Sequence, residues 1–270
     1  MSEPDTFLTT QEYQRFAEFA DAVRRDRYIG LCYGPPGVGK TLSARHYAHW
    51  DTTEDYLARQ QRPTPDRFTL RPPEGLDTAR TVFWTAPVAV TAALVSRNVL
   101  GWCEQVDAAI RQMPGGWKRP PGRGAFPHVE LIVVDEADRL KTTGLEQLRD
   151  IYDHHRIGLV LIGMPGLQRR LARYPQLYSR VGFAHEYRPL SRRELLNLLQ
   201  QHAADLGLDL PAALTDPDAL AAIVRITGGN LRLVQRLFAQ INRITDINDL
   251  DTITRDVVDT ARESLIIGAA

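Results

Sequence analysis

The sequence predicts an α/β fold: a parallel sheet covered by helices, followed by a smaller unit built from helices alone. Three observations predict it. The octapeptide Gly34-Pro35-Pro36-Gly37-Val38-Gly39-Lys40-Thr41 fits the phosphate-loop pattern G-x-x-x-x-G-K-[ST] at every fixed position. Short apolar runs at 28–33, 81–86, 129–134 and 157–162 alternate with helical patterns, which makes a parallel sheet the natural architecture. From Ser191 onward apolar residues recur only at helical spacing.

The phosphate loop has the context its chemistry requires. Tyr28 to Tyr33 reads as a buried strand, and Leu42 to Trp50, without Gly or Pro, as a helix. Triphosphate oxygens need several backbone N–H donors converging on one point. Gly37 and Gly39 let the backbone come close, and the helix that follows aims its free N–H groups and positive dipole end at the anion. Lys40 is expected on the β- and γ-phosphates and the Thr41 hydroxyl on Mg²⁺. Gly34 to Leu42 is thus the expected nucleotide-binding stretch, Pro35, Pro36 and Val38 included.

At 270 residues the chain suggests one large domain or two modest ones, and 43% apolar residues is ample for a core. No run approaches the ~18 apolar residues of a membrane span. The N-terminus is acidic and polar, with no visible signal peptide. Cys32 and Cys103, far apart in sequence, suit a reducing cytosol, and no Cys/His spacing suggests zinc. A cytoplasmic protein is expected. The net charge of zero argues against bulk nucleic-acid binding by a basic surface, but leaves room for a local basic stripe.

In chain order, Thr9 to Arg25 reads as an amphipathic helix opened by a Thr9-x-x-Glu12 capping box, with Tyr13, Phe16, Ala20 and Val23 inward. Asp51 to Arg80 is polar and carries Pro63, Pro65, Pro72 and Pro73; it reads as a long surface excursion with room for a short helix near 54–60. Thr81 to Ala86 is a strand, β-branched and aromatic. Val88 to Gln112 is a helix with Leu94, Val99 or Leu100, Val106 and Ile110 as inward candidates. Met113 to Pro127 breaks the pattern. Its Lys118, Arg119 and Arg123, with Trp117 and no acidic residue, make it the candidate for contact with a DNA backbone.

Val129-Glu130-Leu131-Ile132-Val133-Val134-Asp135-Glu136 is the second decisive motif. Four consecutive apolar residues make a strand buried on both faces, and a carboxylate pair ends it. Asp135 sits where a Walker B aspartate orders the Mg²⁺ shell. Glu136, at the carboxyl end of the strand, can polarise the attacking water as a general base. Asp135-Glu136-Ala137-Asp138 also spells a helicase box, but only one short helix separates it from His155-Arg156-Ile157-Gly158, too little for that family's second domain.

Thr143 to Asp153 is a helix with Leu145, Leu148, Ile151 and Tyr152 on one side, and Ile157 to Ile162 is a further buried strand. This order of phosphate loop, D-E strand and further strand resembles an AAA+ ATPase over nearly the whole chain. The resemblance implies a P-loop parallel-sheet nucleotide domain over residues 1–189, with the helix at 9–25, and a small helical lid over 190–270. It implies ATP and Mg²⁺ as cofactors, and a homo-oligomer, ring or filament, with active sites between subunits. In that family a polar residue ends the strand after the D-E strand. This chain has Gly163-Met164-Pro165 there, which implies slow hydrolysis.

The same resemblance assigns two arginines. Arg180, in Gln176-Leu177-Tyr178-Ser179-Arg180, matches the arginine that completes a neighbour's active site. Arg232, in Gly228-Gly229-Asn230-Leu231-Arg232, matches the second sensor of the lid. The lid helices start at Ser191 with a Ser191-x-x-Glu194 capping box and Leu195, Leu198, Leu199 and Leu206, then at Thr215, then at Leu231 with Val234, Leu237, Phe238 and Ile241 inward. A last helix runs from Asp251 to Ile266 with Ile253, Val257, Val258 and Leu265 on its apolar side.

Within the family, the runs 133–140 and 158–164 are similar to transposition ATPases of the MuB, TnsC and TniB type. That resemblance implies ATP-dependent assembly on double-stranded DNA and regulation of a transposase and its target site. Two other classes remain open: a replication-type loader or remodelling ATPase, and a nucleotide-gated switch without DNA.

Overall fold

Five short strands form one parallel sheet: β1 (Ile29–Tyr33), β2 (Thr81–Thr85), β3 (Leu131–Asp135), β4 (Gly158–Gly163) and β5 (Val181–Glu186), in the order β2-β3-β4-β1-β5. The computed structural model describes residues 7–63, 69–114, 125–201 and 216–265. Contacts divide the chain into two compact units. The larger holds Arg15–Gly34 and Lys40–Tyr187; the other holds Met1–Gln14, Pro35–Gly39 and Arg188–Ala270.

In the larger unit β1 to β4 sit where the four apolar runs predict them, and β5 is a strand that no apolar run predicted. Every residue of β3 and β4 is buried, as expected of central strands covered on both faces. β5 is an edge strand and alternates half-buried with exposed positions. Because all strands run the same way, the carboxyl ends of β1, β3 and β4 share one edge. Tyr33 pairs with Gly163 there, and the Gly34 N–H donates to the Gly163 carbonyl at 3.4 Å. In parallel sheets this edge is where ligands bind.

Helix α1 (Gln11–Asp26) lays Phe16, Phe19, Ala20 and Val23 into the core, and a Cβ on Gly30 of β1 would fall 2.5 Å from Val23. Its cap corrects the expected box by one residue. Thr10, not Thr9, accepts the Tyr13 N–H at 3.1 Å, and Glu12 is buried instead of closing the box, with its carboxylate accepting the Arg188 N–H at 3.2 Å. The sequence pattern alone could not distinguish two adjacent threonines.

A larger correction concerns the expected excursion after α2 (Lys40–Tyr47). It opens with a packed helix, α3 (Trp50–Gln61), which buries Trp50, Thr53, Tyr56 and Leu57. Trp50 is 1% exposed and stands edge-on to Trp102 at 5.4 Å. Arg45 of α2 binds Asp51 and Glu54, each at 2.6 Å, and ties the two helices together. The polar residues that suggested a loop are the outer face of an amphipathic helix. The stretch ends at α4 (Leu76–Ala79) and a buried Arg80, whose guanidinium pairs with Glu130 at 2.7 Å and donates to the carbonyls of Pro127 and His128. A guanidinium with its donors satisfied tolerates burial that an unpaired one does not.

Helix α5 (Ala92–Gln112) starts at the Thr91 cap and turns Val95 inward rather than the expected Leu94, together with Val99, Val106 and Ile110. Cys103 is also buried, and burial pushes its thiol above the ordinary range. Helix α6 (Thr142–His155) buries Leu145, Leu148 and Ile151, while Tyr152 is only half-buried. Two short helices, α7 (Leu167–Leu171) and α8 (Pro175–Tyr178), lead into β5.

Among the described residues of the second unit four helices enclose one core: α9 (Arg192–Gln201), α10 (Pro217–Thr227), α11 (Leu231–Asn248) and α12 (Arg255–Glu263). Leu195, Leu198, Leu199, Val234, Leu237, Phe238, Ile241 and Val258 are buried in it as predicted. The Ser191 box closes reciprocally: Ser191 N–H donates to Glu194 at 2.8 Å, and Glu194 N–H to the Ser191 hydroxyl at 3.3 Å. Ile253 is buried but precedes α12, whose cap is Thr254. Leu206, Thr215 and Ile266 lie outside the described residues. No helix among the described residues is long and apolar enough to cross a membrane.

Candidate functional site

The larger unit assembles the phosphate-loop lysine and threonine with the carboxylate pair. The Thr41 hydroxyl at the start of α2 donates to Asp135 Oδ2 at 2.7 Å across 94 positions of sequence. The Glu136 N–H donates to Asp135 Oδ1 at 2.8 Å. The Lys40 ammonium donates to the Gly34 carbonyl at 2.7 Å and is 9% exposed. Burial pushes Lys40 below lysine's ordinary pKa, against the opposing pull of nearby Asp135, Glu136 and Asp138. Burial likewise raises Asp135, aided by the charge of Glu136 and opposed by its bonds to Thr41 and the Glu136 N–H.

This donor set fits Mg²⁺. A hydroxyl and a carboxylate oxygen are the hard ligands the ion prefers. With Mg–O bonds of about 2.0–2.1 Å, two adjacent octahedral ligands stand roughly 2.9 Å apart, close to the 2.7 Å between Thr41 Oγ1 and Asp135 Oδ2. Two protein ligands leave the remaining positions to phosphate oxygens and water.

Glu136 is the first residue beyond β3 and is only half-buried. Its φ of 55° places it in the left-handed region, where a non-glycine residue is strained. Arg139, in the 3₁₀ turn that follows, lies 3.6 Å from its carboxylate and donates to the Ala86 carbonyl at 2.9 Å.

The loop's glycines have separate reasons. Gly34 leaves no room for a side chain, because a Cβ would fall 2.1 Å from the Tyr187 carbonyl. Gly37 and Gly39 have φ of 79° and 109°, which other residues rarely adopt.

In the second unit, residues 35–39 meet the start of α11. Asn230 caps that helix by accepting the Leu233 N–H, and its Nδ2 donates to the Pro36 carbonyl at 2.8 Å. The Arg232 N–H donates to the Gly37 carbonyl at 3.2 Å, and its side chain is exposed. Sequence reasoning singled out Arg232 and named Asn230 only as part of the stretch that carries it. Its second bond, to the loop, has no signal in the local sequence. Leu42, also predicted to line the nucleotide, is 59% exposed on α2.

Arg180 is not brought to this loop. It immediately precedes β5, and its carbonyl accepts the Ile29 N–H at 3.0 Å, at the amino end of β1. The phosphate loop follows the carboxyl end of that strand, about 13–16 Å away at some 3.3 Å per residue. The Arg180 guanidinium is held by Asp153 at 2.6 Å and by the Gln176 carbonyl. Lys118, Arg119 and Arg123 lie outside the described residues.

Comparison with known proteins agrees with this geometry. The family model described as "AAA domain" matches residues 23–171, more than half of the chain. A "Potential ATP-binding protein" of Staphylococcus aureus is 44% identical over 99% of both chains. The "ATP-dependent target DNA activator B" of Escherichia phage Mu is 27% identical over 67% of this chain, a match spanning about half (51%) of its own length. Among solved structures, the Holliday junction branch migration motor RuvB of Thermotoga maritima superposes with a TM-score of 0.55 at 17% identity, covering 97% of this chain and 72% of that one. The match of the AAA domain model to more than half of the chain, on a parallel five-stranded sheet with a phosphate loop after its first strand, an acidic pair at the end of its third and a helical unit later in the sequence, places this chain in the AAA domain family of P-loop ATPases.

Proposed function

We propose that the protein binds ATP with Mg²⁺, hydrolyses it slowly, and assembles on double-stranded DNA to regulate a transposase and its target site. The observation that carries the nucleotide part is the Thr41–Asp135 bond, which brings a hydroxyl of the phosphate loop against a carboxylate of the acidic strand. Similarity to the phage Mu protein, whose name states an ATP-dependent action on target DNA, supports the DNA part.

In this reading the loop from Gly34 to Thr41, with Leu42, cradles the phosphates. Lys40 faces the β- and γ-phosphate oxygens, exchanging its bond to the Gly34 carbonyl for them. Thr41 and Asp135 hold the metal, which neutralises charge on the phosphates. Glu136 takes the proton of the attacking water. Arg232 reaches the phosphates from a lid formed by residues 190–270. Arg180 serves a neighbouring subunit, since its own loop lies at the other end of the sheet, and neutralises charge that develops on the γ-phosphate. Assembly and ATP occupancy are then coupled, and hydrolysis resets the assembly. Lys118, Arg119 and Arg123 are the proposed DNA contacts, and the cytoplasm the proposed compartment.

A nucleotide-gated switch without DNA is the second reading, favoured by Gly163, which offers no polar side chain at the end of β4. Nucleotide-dependent binding to duplex DNA separates the two. Binding of a labelled duplex with an ATP analogue and not with ADP supports the first reading; no binding under either condition supports the second.

A further inference from the structure

Where the resemblance to AAA+ ATPases implies a polar side chain at the end of β4, this chain has Gly163, yet the place is filled. Asp138, in the turn after β3, directs its carboxylate there. Oδ2 accepts the Met164 N–H at 2.6 Å, and an ideal Cβ on Gly163 would fall 2.3 Å from that same oxygen. Carboxylate and side chain at 163 therefore exclude each other. The turn is fixed from below as well: Arg170 of α7 donates to the carbonyls of Asp138 and Leu140. Gly163 in turn pairs with Tyr33 and accepts the Gly34 N–H, so the carboxylate stands one residue from the first glycine of the phosphate loop. Among the described residues Oδ1 takes no hydrogen bond.

We propose that Asp138 replaces the missing polar residue of β4 and is a second acceptor for the attacking water, beside Glu136. A water that donates one proton to each of two carboxylates presents its lone pair to the γ-phosphorus. As the new P–O bond forms and the bond to the β–γ bridging oxygen breaks, Glu136 takes one proton. The other stays on the incoming oxygen, held by Asp138, and leaves with the phosphate; ADP is the leaving group. Hydrolysis then depends on a residue supplied by the acidic turn rather than by the strand end. This inference rests on the proposed ATPase activity.

The test separates binding from turnover. Asp138→Asn keeps an acceptor for the Met164 N–H but turns a donor toward the water. It is expected to melt like the wild type and to bind a fluorescent ATP analogue within about twofold. Its hydrolysis is expected to fall about 100-fold, the range of a lost acid–base or charge contact. Gly163→Ala, which displaces the carboxylate without removing it, is expected to slow hydrolysis in the same way. In the double variant Asp138→Ala/Gly163→Ser, a hydroxyl enters the vacated space, and the rate is expected to recover at least about tenfold over Asp138→Ala. Wild-type turnover by Asp138→Asn would overturn the proposal and leave Asp138 as an anchor for the turn after β4. A double variant no faster than Asp138→Ala would overturn the equivalence of the two positions. A wild-type protein that hydrolyses no ATP, with or without duplex DNA, would overturn the ATPase reading and this inference together.

Discussion

Asp135 is held by two good hydrogen bonds and still carries a cost. Burial and the adjacent Glu136 raise its pKa above that of an exposed carboxylate, so the unfolded chain ionises it more readily than the folded one. The contribution to stability is therefore greatest below the ordinary carboxylate pKa and declines as pH rises through the folded value. Lys40 behaves correspondingly. Its pKa is lowered mainly by burial, so the unfolded state holds the proton more tightly, and stability rises with pH from the folded value up to lysine's ordinary one. Near neutral pH both charges oppose the nucleotide-free fold. Asp135→Asn, which can bond to both Thr41 and the Glu136 N–H, is expected to raise the Tm of the nucleotide-free protein and to remove the Mg²⁺-dependent Tm increase on adding ATP. Thermal denaturation with and without Mg²⁺·ATP checks this, and a lower nucleotide-free Tm would refute it. Glu136→Gln is expected to keep ATP binding and lower kcat by about 100-fold or more, as removal of a general base does; rapid-quench single turnover measures it.

At the scale of elements, α11 begins with a residue that does two things. Asn230→Ala removes the cap, a loss of about 1 kcal/mol, and also the bond to the Pro36 carbonyl. A Tm lower by a few degrees is expected, with ATP affinity falling as well. Asn230→Asp keeps the cap but cannot donate to Pro36, so it should weaken ATP binding while largely sparing Tm. Calorimetric titration beside thermal denaturation separates the two effects. Trp50→Ala is expected to cost about 3–5 kcal/mol, readable in a urea titration, because the side chain is fully enclosed between Phe83 and Trp102. A surface excursion would lose almost nothing.

Strands β1 to β4 were legible in the sequence as apolar runs, the central ones because they are buried on both faces, whereas β5 alternates half-buried with exposed positions and gives no such run. Thr41, Asp135 and the Ser191 box were legible because short motifs fix local geometry. Helix α3 was legible only as a short helix near 54–60, since Trp50, Thr53, Tyr56 and Leu57 are spread thinly among charged residues whose partners, such as Arg45, lie outside the helix. The Thr10 cap was missed because two adjacent threonines fit the local pattern equally, whereas the buried Glu12 and the Asp138–Gly163 exclusion depend on chain segments that meet only after folding.

For the molecule as a whole, the position of Arg180 carries a prediction about assembly. It is held by Asp153 at the amino end of the sheet and cannot serve its own phosphate loop. Arg180→Ala is expected to bind ATP normally as a dilute protomer. Its hydrolysis should fall only under assembling conditions, with arginines of this kind contributing about 10³-fold or more in kcat. In a mixture, Arg180→Ala and Glu136→Gln subunits should restore some activity, because a site with an intact Glu136 can receive an intact Arg180 from its neighbour. The most direct measurement is light scattering with and without short duplex DNA, in an ATP analogue, in ADP and without nucleotide. Large assemblies that form only when analogue and duplex are both present are the predicted result. Assemblies that form with analogue regardless of DNA, or no assembly at all, would contradict ATP-dependent assembly on DNA as the protein's function.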